Sequence, residues 1–224
     1  MTLRLSTSDK DFAKAFDRLV RGRRESDIEV SRDVTAIIAD VKARGDAALI
    51  DYTARFDNHS LTGGGWSIGK EECAEAYAAL SDDLRTALDL AASRIRAYHE
   101  AQLPEGRDYT DAAGVRLGAR WTAVDAAGLY VPGGRAAYPS SLLMNAIPAK
   151  VAGVERLVVV TPTPQGIINP LVLAAAHLAG VDEIWRIGGA QAVAALAYGT
   201  ETIRAVDVIT GPGNAWVAEA KRQL

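Results

Sequence analysis

The chain has few residues that could form disulfides or bind metals: 224 residues include one cysteine and three histidines. Cys73 has no second cysteine with which to form an internal disulfide, which fits a reducing compartment, and we interpret it as a packing residue. The histidines, His59, His99 and His177, are scattered, and no two have the i, i+4 spacing of a metal-binding pair. We therefore expect neither a disulfide framework nor a zinc site built from these side chains.

The chain also lacks a net positive charge and long apolar runs. The formal net charge is −3, so the sequence offers no basic surface for nucleic acid. The apolar stretches fall short of the about 20 residues that a membrane-spanning helix needs, and the first residues lack the apolar core of a signal peptide. Apolar residues still make up 49% of the chain, as in globular proteins. We expect a cytoplasmic protein with no nucleic-acid or membrane partner.

Residues 1–107 have the composition and the apolar spacing of helices. Ser8 and Ser81 stand where helix N-caps are expected, and Gly45 stands where a helix should end. Helices are predicted over residues 8–20, 31–44, 46–56, 70–80 and 81–102. We therefore expect a mainly helical N-terminal region, with a glycine-rich loop at 58–65.

The pattern then changes to strands and helices in alternation. A short β segment at 108–127, with weak alternation over 115–121, is predicted to join the two regions. Strands are predicted over 126–131, 157–160, 184–187 and 206–209, and helices over 140–151, 171–178, 190–198 and 215–223. This order predicts a mostly parallel sheet with right-handed crossovers. Residues 128–224 are therefore expected to form one α/β domain.

Three glycine-rich turns lie between a strand and a helix of this domain. Their sequences are GLYVPGG at 128–134, IGGAQ at 187–191 and TGPGN at 210–214. Glycine lets the backbone turn sharply and approach a ligand closely, and the N-terminus of the following helix suits phosphate. Because the carboxyl ends of parallel strands open on one edge of the sheet, the turns predict a nucleotide site there.

Each turn also carries a side chain that could contact a ligand. Tyr130 ends the first strand, Gln191 stands in the first turn of a helix with an amide that can donate and accept, and Asn214 stands at an N-cap position. A core tyrosine, a solvent-exposed glutamine and a plain helix cap are the alternatives, and they stay open. The glycines of the predicted site are Gly133, Gly134, Gly188, Gly189, Gly211 and Gly213.

The signals of a standard dinucleotide site are incomplete. No turn has the full Gly-x-Gly-x-x-Gly pattern. The sequence TPTP at 161–164 follows the second strand, where a carboxylate usually binds the adenosine ribose. We also find no general base, nucleophile or metal-ligand cluster in the sequence. A dinucleotide would therefore have to bind in a non-standard way.

Longer strings around these turns resemble the histidinol dehydrogenase family. They are GLYVPGG at 128–134, GGAQAVAALAYGTE at 188–201 and GPGNAWV at 211–217; VKARGD at 41–46 and the segment 52–57 match the family's N-terminal helices. The likeness extends over nearly the whole chain, and the long strings are highly specific.

The resemblance implies an activity and a set of cofactor contacts. Family members are homodimeric, zinc-dependent enzymes that oxidise L-histidinol, a small amino alcohol, to L-histidine through histidinal, using two NAD in succession. By their positions in the matching strings, Tyr130, Gln191 and Asn214 are implied to contact NAD. The implied fold is aldehyde-dehydrogenase-like, with incomplete Rossmann-like units.

The resemblance also implies that part of the enzyme is missing from residues 1–224. Family members are much longer, and their zinc ligands and Glu-His acid/base pair lie beyond the segment that matches this chain. We therefore expect no catalytic residue and no zinc ligand here, and an inactive chain when it is alone.

Two alternatives stay open at this point. One is a family relative that oxidises another small alcohol, such as a sulfonated diol. The other is a non-catalytic nucleotide-binding or dimerising fragment. A measurement of enzymatic activity with added zinc, on the full-length protein and on this chain, would distinguish the two.

Overall fold

The structure, a computed structural model, describes residues 4–133 and 138–224, and of residues 21–27 only the backbone. The helices in this part of the chain are α1 (Phe12–Arg44), α2 (Asp46–Asp57), α3 (Lys70–Ala78), α4 (Asp82–Glu100), α5 (Pro139–Ala152), α6 (Pro170–Ala179), α7 (Gly189–Tyr198) and α8 (Ala215–Gln223). The strands are β1 (Ser67–Ile68), β2 (Arg107–Thr110), β3 (Arg116–Ala119), β4 (Ala126–Tyr130), β5 (Arg156–Val160), β6 (Glu183–Trp185) and β7 (Val208–Thr210).

Five strands form a mixed sheet in the order β1-β6-β5-β4-β7. The four strands β4 to β7 run parallel, and β1 pairs antiparallel with β6 at one edge. Tyr130 lies opposite Val160, and Val160 lies opposite Trp185. The predicted α/β architecture with a parallel sheet is therefore confirmed, and the turns that follow these strands meet at one edge.

The central strand β5 shows why the sheet is buried on both faces. Its four residues from Leu157 to Val160 have no exposed surface. Val158 and Val160 pack in a cluster with α1 and α7, whereas Leu157 and Val159 pack in a second cluster with α5 and α6. The continuous apolar run, rather than an alternating one, is what a strand covered by helices on both sides requires.

The N-terminal helix differs from the prediction. The two helices expected over 8–20 and 31–44 are one continuous helix, α1, which begins at Phe12 and not at Ser8. The segment between the two apolar stripes contains no proline, so nothing in it forces the helix to end. The second half of α1 packs against α7 and α8, and its side chains Val34 and Val41 are buried.

Strands β2 and β3 form a separate antiparallel hairpin. The sequence predicts a strand over 115–121 but not its partner. Every residue of both strands is exposed. The ion pair between Asp108 and Arg116 joins the strands and lowers the pKa of Asp108.

Among the described helices, none combines the length and the apolar character that crossing a bilayer requires.

Candidate functional site

A cavity of about 680 Å³ opens at the edge of the sheet where the parallel strands end. Helices α1 and α2 form its other wall. Five of the predicted site residues line it: Tyr130, Gly133, Gly189, Gln191 and Asn214. Gly188, Gly211 and Gly213 lie in the same turns but not on the cavity wall, and Gly134 lies outside the described residues.

Tyr130 joins the first turn to the second. It is the last residue of β4 and is 4% exposed, and its hydroxyl oxygen accepts a hydrogen bond from the backbone N–H of Gly189 at 3.1 Å. Burial raises the pKa of Tyr130, and the backbone hydrogen bond from Gly189 opposes this shift. The hydroxyl therefore keeps its proton at neutral pH, and can donate it to a group in the cavity.

Gln191 has the most informative environment of the predicted residues. It is 1% exposed, and its Oε1 atom is buried without a hydrogen-bond partner among the described residues. Gly189 has a φ of +65°, and a Cβ there would come within 2.5 Å of that oxygen. An unpaired buried acceptor costs about 1–3 kcal/mol. The solvent-exposed alternative is wrong for Gln191, which lines the cavity as a buried residue and has an unsatisfied side-chain acceptor.

Asn214 is the N-cap of α8, as one of the alternatives proposed. Its Oδ1 atom accepts a hydrogen bond from the N–H of Val217 at 3.1 Å. Within the described part of the chain, no hydrogen bond uses its Nδ2 atom. Because Asn214 also lines the cavity, its side chain can stabilise the helix with one atom and donate to a ligand with the other.

The glycines at 133 and 188 have a structural reason to be glycine. A Cβ at Gly133 would collide with the backbone carbonyl of Pro162, and a Cβ at Gly188 would collide with the proline ring. The turns after β4, β5 and β6 therefore pack against one another around Pro162. The sequence predicts that glycine makes room for a ligand, whereas at these two positions it makes room for neighbouring chain.

The same holds in the turn before α8. Gly211 has a φ of +108°, and a Cβ there would collide with the carbonyl of Tyr130. A Cβ at Gly213 would collide with the side chain of Val217. The carbonyl of Gly211 also accepts a hydrogen bond from the ammonium group of Lys221. The glycines of this turn therefore make room for neighbouring protein atoms, as at 133 and 188.

The end of α2 supplies site residues that the sequence analysis does not single out. Asp57 lines the cavity and is 9% exposed, and its Oδ2 atom is buried without a partner in the described structure. Burial raises the pKa of Asp57, and a backbone hydrogen bond from Thr163 opposes the shift. The aromatic rings of Tyr52 and Phe56, 5.7 Å apart, stack beside it on the same wall. The one feature of the sequence that could have identified these residues is the match of 52–57 to the N-terminal helices of the histidinol dehydrogenase family.

The described residues do not fit a zinc ion. No group of three His, Cys, Asp or Glu side chains within 4–133 and 138–224 could hold a metal. Cys73 is buried, and burial together with the charge of Glu72 raises the pKa of its thiol to about 11. The thiolate that zinc requires is therefore disfavoured at neutral pH. The ring of His177 lies 5.3 Å from the ring of Tyr77 in an aromatic contact.

Comparisons with known proteins agree with the sequence resemblance. The sequence model of the histidinol dehydrogenase family matches residues 20–224. The histidinol dehydrogenases of Zymomonas mobilis and Rhodospirillum rubrum are each 65% identical to this chain over all of its 224 residues, which match 52% of each relative. The crystal structure of histidinol dehydrogenase from Elizabethkingia anophelis superimposes with a TM-score of 0.80 at 37% identity, covering 86% of this chain and 44% of that one.

The chain spans about half the length of the curated relatives it matches. The sulfonated-diol alternative and the non-catalytic alternative are not favoured, because these relatives share one name. The match extends over the N-terminal helices, the sheet and all three turns. The chain belongs to the histidinol dehydrogenase family.

Proposed function

We propose that this chain is the NAD-binding part of an enzyme that oxidises L-histidinol to L-histidine through histidinal. The observation that carries the proposal is the 65% identity to relatives named histidinol dehydrogenase over the whole chain. Oxidation of an alcohol to an acid removes four electrons, and each NAD accepts two of them as a hydride. Two NAD are therefore used in succession.

The fold supports a cofactor site in residues 128–224. We propose that this domain is an incomplete Rossmann-like unit of the aldehyde-dehydrogenase type, to which 108–127 joins the helical region 1–107. From β4 the chain proceeds to β5 and β6 on one side and then returns to β7 on the other side of β4. Ligands of open parallel sheets bind at such a reversal. The cavity lies at this point, beside the end of β4.

The polar side chains of the cavity support binding of NAD. The Oε1 atom of Gln191 can accept a hydrogen bond from an amide or hydroxyl group of the cofactor, and this would remove the cost of its unpaired state. The Nδ2 atom of Asn214 and the hydroxyl of Tyr130 can donate. The glycines at 133 and 189 line the cavity beside them, and those at 133, 188, 211 and 213 allow the close packing of the turns.

We propose that zinc binds in the complete protein through residues outside 1–224. The length of the relatives supports this division, because the chain matches only 52% of each of them. Zinc would orient an amino alcohol substrate as a Lewis acid, and a general base, also outside this chain, would take the hydroxyl proton. Residues 1–224 alone are then inactive.

We also propose that the protein is a homodimer in the cytoplasm. The hairpin β2–β3 supports the homodimer, because all of its strand residues are exposed. Tyr109 is 54% exposed and Leu117 is 41% exposed. A second copy of the protein would cover these apolar side chains.

The test is production of NADH by the complete protein supplied with zinc, NAD and L-histidinol. We expect two NADH for each histidinol consumed, and none from residues 1–224 alone. Absence of turnover by the complete protein with histidinol, together with oxidation of a sulfonated diol, would overturn the proposed substrate. Turnover by residues 1–224 alone would overturn the proposed division of the active site.

A further inference from the structure

A standard dinucleotide site has a carboxylate at the end of its second parallel strand, where it binds the adenosine ribose. The second strand of this parallel unit is β5, and Thr161, Pro162, Thr163 and Pro164 follow it. Both threonines are buried, and both prolines line the cavity. The segment after β5 thus reaches the cofactor cavity without supplying a carboxylate of its own.

A carboxylate reaches the same place from another part of the chain. Asp57 is the last residue of α2, and a backbone group of Thr163 lowers its pKa. Its charge also acts on Tyr130 at the end of β4, where it contributes to the raised pKa of that side chain. Asp57, Tyr130 and Pro162 line the same cavity, so the carboxylate lies near the ends of two adjacent parallel strands.

The state of Asp57 indicates that a partner is missing. Only 9% of the surface of Asp57 is exposed, and its Oδ2 atom has no hydrogen-bond partner among the described residues. The hydroxyl of Thr163 is buried without a partner as well. Buried carboxylates are normally paired or hydrogen-bonded, since desolvation of an unpaired charge is costly. Within the described structure Asp57 forms no ion pair, and His59 acts on it only as the smallest of the causes that shift its pKa.

We propose that Asp57 replaces the missing strand-end carboxylate: it binds the adenosine ribose hydroxyls of NAD and selects NAD against NADP. This inference rests on the proposed function, because it assigns a role within the same cofactor cavity. A carboxylate accepts hydrogen bonds from both ribose hydroxyls. The 2′-phosphate of NADP would remove one of these donors and bring negative charge against a buried carboxylate.

Two other charged side chains line the cavity, and neither has the properties of Asp57. Asp33 on α1 is exposed. Arg55 is also exposed, and its guanidinium lies 5.2 Å from the ring centre of Phe56. Solvent and salt screen such exposed groups. Discrimination against a 2′-phosphate therefore depends on Asp57, and Asp33 provides a matched control carboxylate.

The test is calorimetric binding to the complete, zinc-loaded protein of three cofactors: NAD, NADP and the NAD analogue that lacks the 2′-hydroxyl of the adenosine ribose. We expect the wild-type protein to bind both NADP and the analogue about tenfold or more weakly than NAD, as loss of a charge-assisted hydrogen bond predicts. In Asp57→Ala the analogue and NAD should bind about equally. In Asp57→Asn the preference for NAD over NADP should fall by about tenfold, whereas Asp33→Asn should keep the wild-type preference.

The outcomes separate this inference from the proposed function. Wild-type protein that binds NAD and the analogue equally would overturn the role of Asp57, without need of any variant. Unchanged discrimination in a folded Asp57→Ala protein would overturn it too. Wild-type protein that binds neither NAD nor NADP would overturn the proposed function and this inference with it.

Discussion

The turn between β7 and α8 and the turn between β6 and α7 have similar glycine-rich sequences but different polar environments. Before α8, Gly211 packs against the carbonyl of Tyr130, and the side-chain oxygen of Asn214 caps the helix by accepting a hydrogen bond from the N–H of Val217. Before α7, Gly189 leaves room for the amide of Gln191, whose buried Oε1 atom has no partner in the described structure. The turn before α8 therefore satisfies the side-chain oxygen of Asn214 within the protein, whereas the turn before α7 leaves the side-chain oxygen of Gln191 without a partner.

We propose that this difference separates residues that stabilise the fold from residues that bind a ligand. Close packing around a glycine contributes to stability whether or not a cofactor is bound. An unpaired buried acceptor costs free energy until a donor arrives. The predictions below test this division, beginning with the largest expected change in stability.

Gly211→Ala should destabilise the complete protein by about 3 kcal/mol or more in urea unfolding, because the new Cβ collides with backbone. Gly64→Ala is the matched control. Gly64 has a similar φ of +115°, but no atom lies within 4 Å of a Cβ there. Its variant should lose only about 1 kcal/mol from the positive φ. Equal losses in the two variants would show that the close approach to Tyr130 does not matter.

Asn214→Ala should lower the free energy of unfolding by about 1 kcal/mol through loss of a helix cap. Asn169→Ala should lower it similarly, because Asn169 caps α6 with a hydrogen bond from Leu171 at 2.9 Å. Only the Asn214 variant should also bind NAD more weakly in calorimetry, since Asn169 lies outside the cavity. NAD affinity that is equal in the two variants would make Asn214 a cap alone.

Asp57→Asn should raise the stability of the protein without cofactor at neutral pH, by about 1 kcal/mol or less. Burial raises the pKa of Asp57 in the folded state above its ordinary value. Ionisation of Asp57 therefore opposes folding, and the wild type loses stability as the pH rises above the ordinary carboxyl range. The asparagine variant lacks this loss. Below the ordinary pKa of aspartate, the gain from the asparagine should disappear.

The check is urea unfolding of both proteins as a function of pH, with Asp33→Asn as the exposed control. A wild type that gains stability over the same pH window relative to Asp57→Asn would reverse the sign and show that the carboxylate is paired.

The sequence predicted the local features of the fold well. The cap at Ser81 was correctly placed, and so was the cap position of Asn214, because a cap depends on residues three or fewer positions away. The apolar run of β5 likewise identified a strand, which the structure shows to be buried on both faces. By contrast, β1 has two residues, and so short a strand carries no periodic signal.

The candidate site was predictable only in part. The three turns could be brought together by the parallel topology alone. The role proposed for Asp57 was not predictable, because periodicity shows only that α2 ends there. Tertiary packing of α2 against the segment after β5 creates its environment. The purpose of the glycines was also hidden, because a missing Cβ can face a ligand or the protein itself, and sequence does not distinguish the two.

The central claim, that the open acceptor of Gln191 serves NAD, is tested most directly by Gln191→Leu in the complete protein. Leucine has similar volume and needs no hydrogen-bond partner, so the melting temperature should stay equal or rise slightly. The affinity for NAD in calorimetry should fall by about tenfold or more. Unchanged NAD affinity, or a large fall in melting temperature with NAD binding retained, would contradict the account and make Gln191 a structural residue.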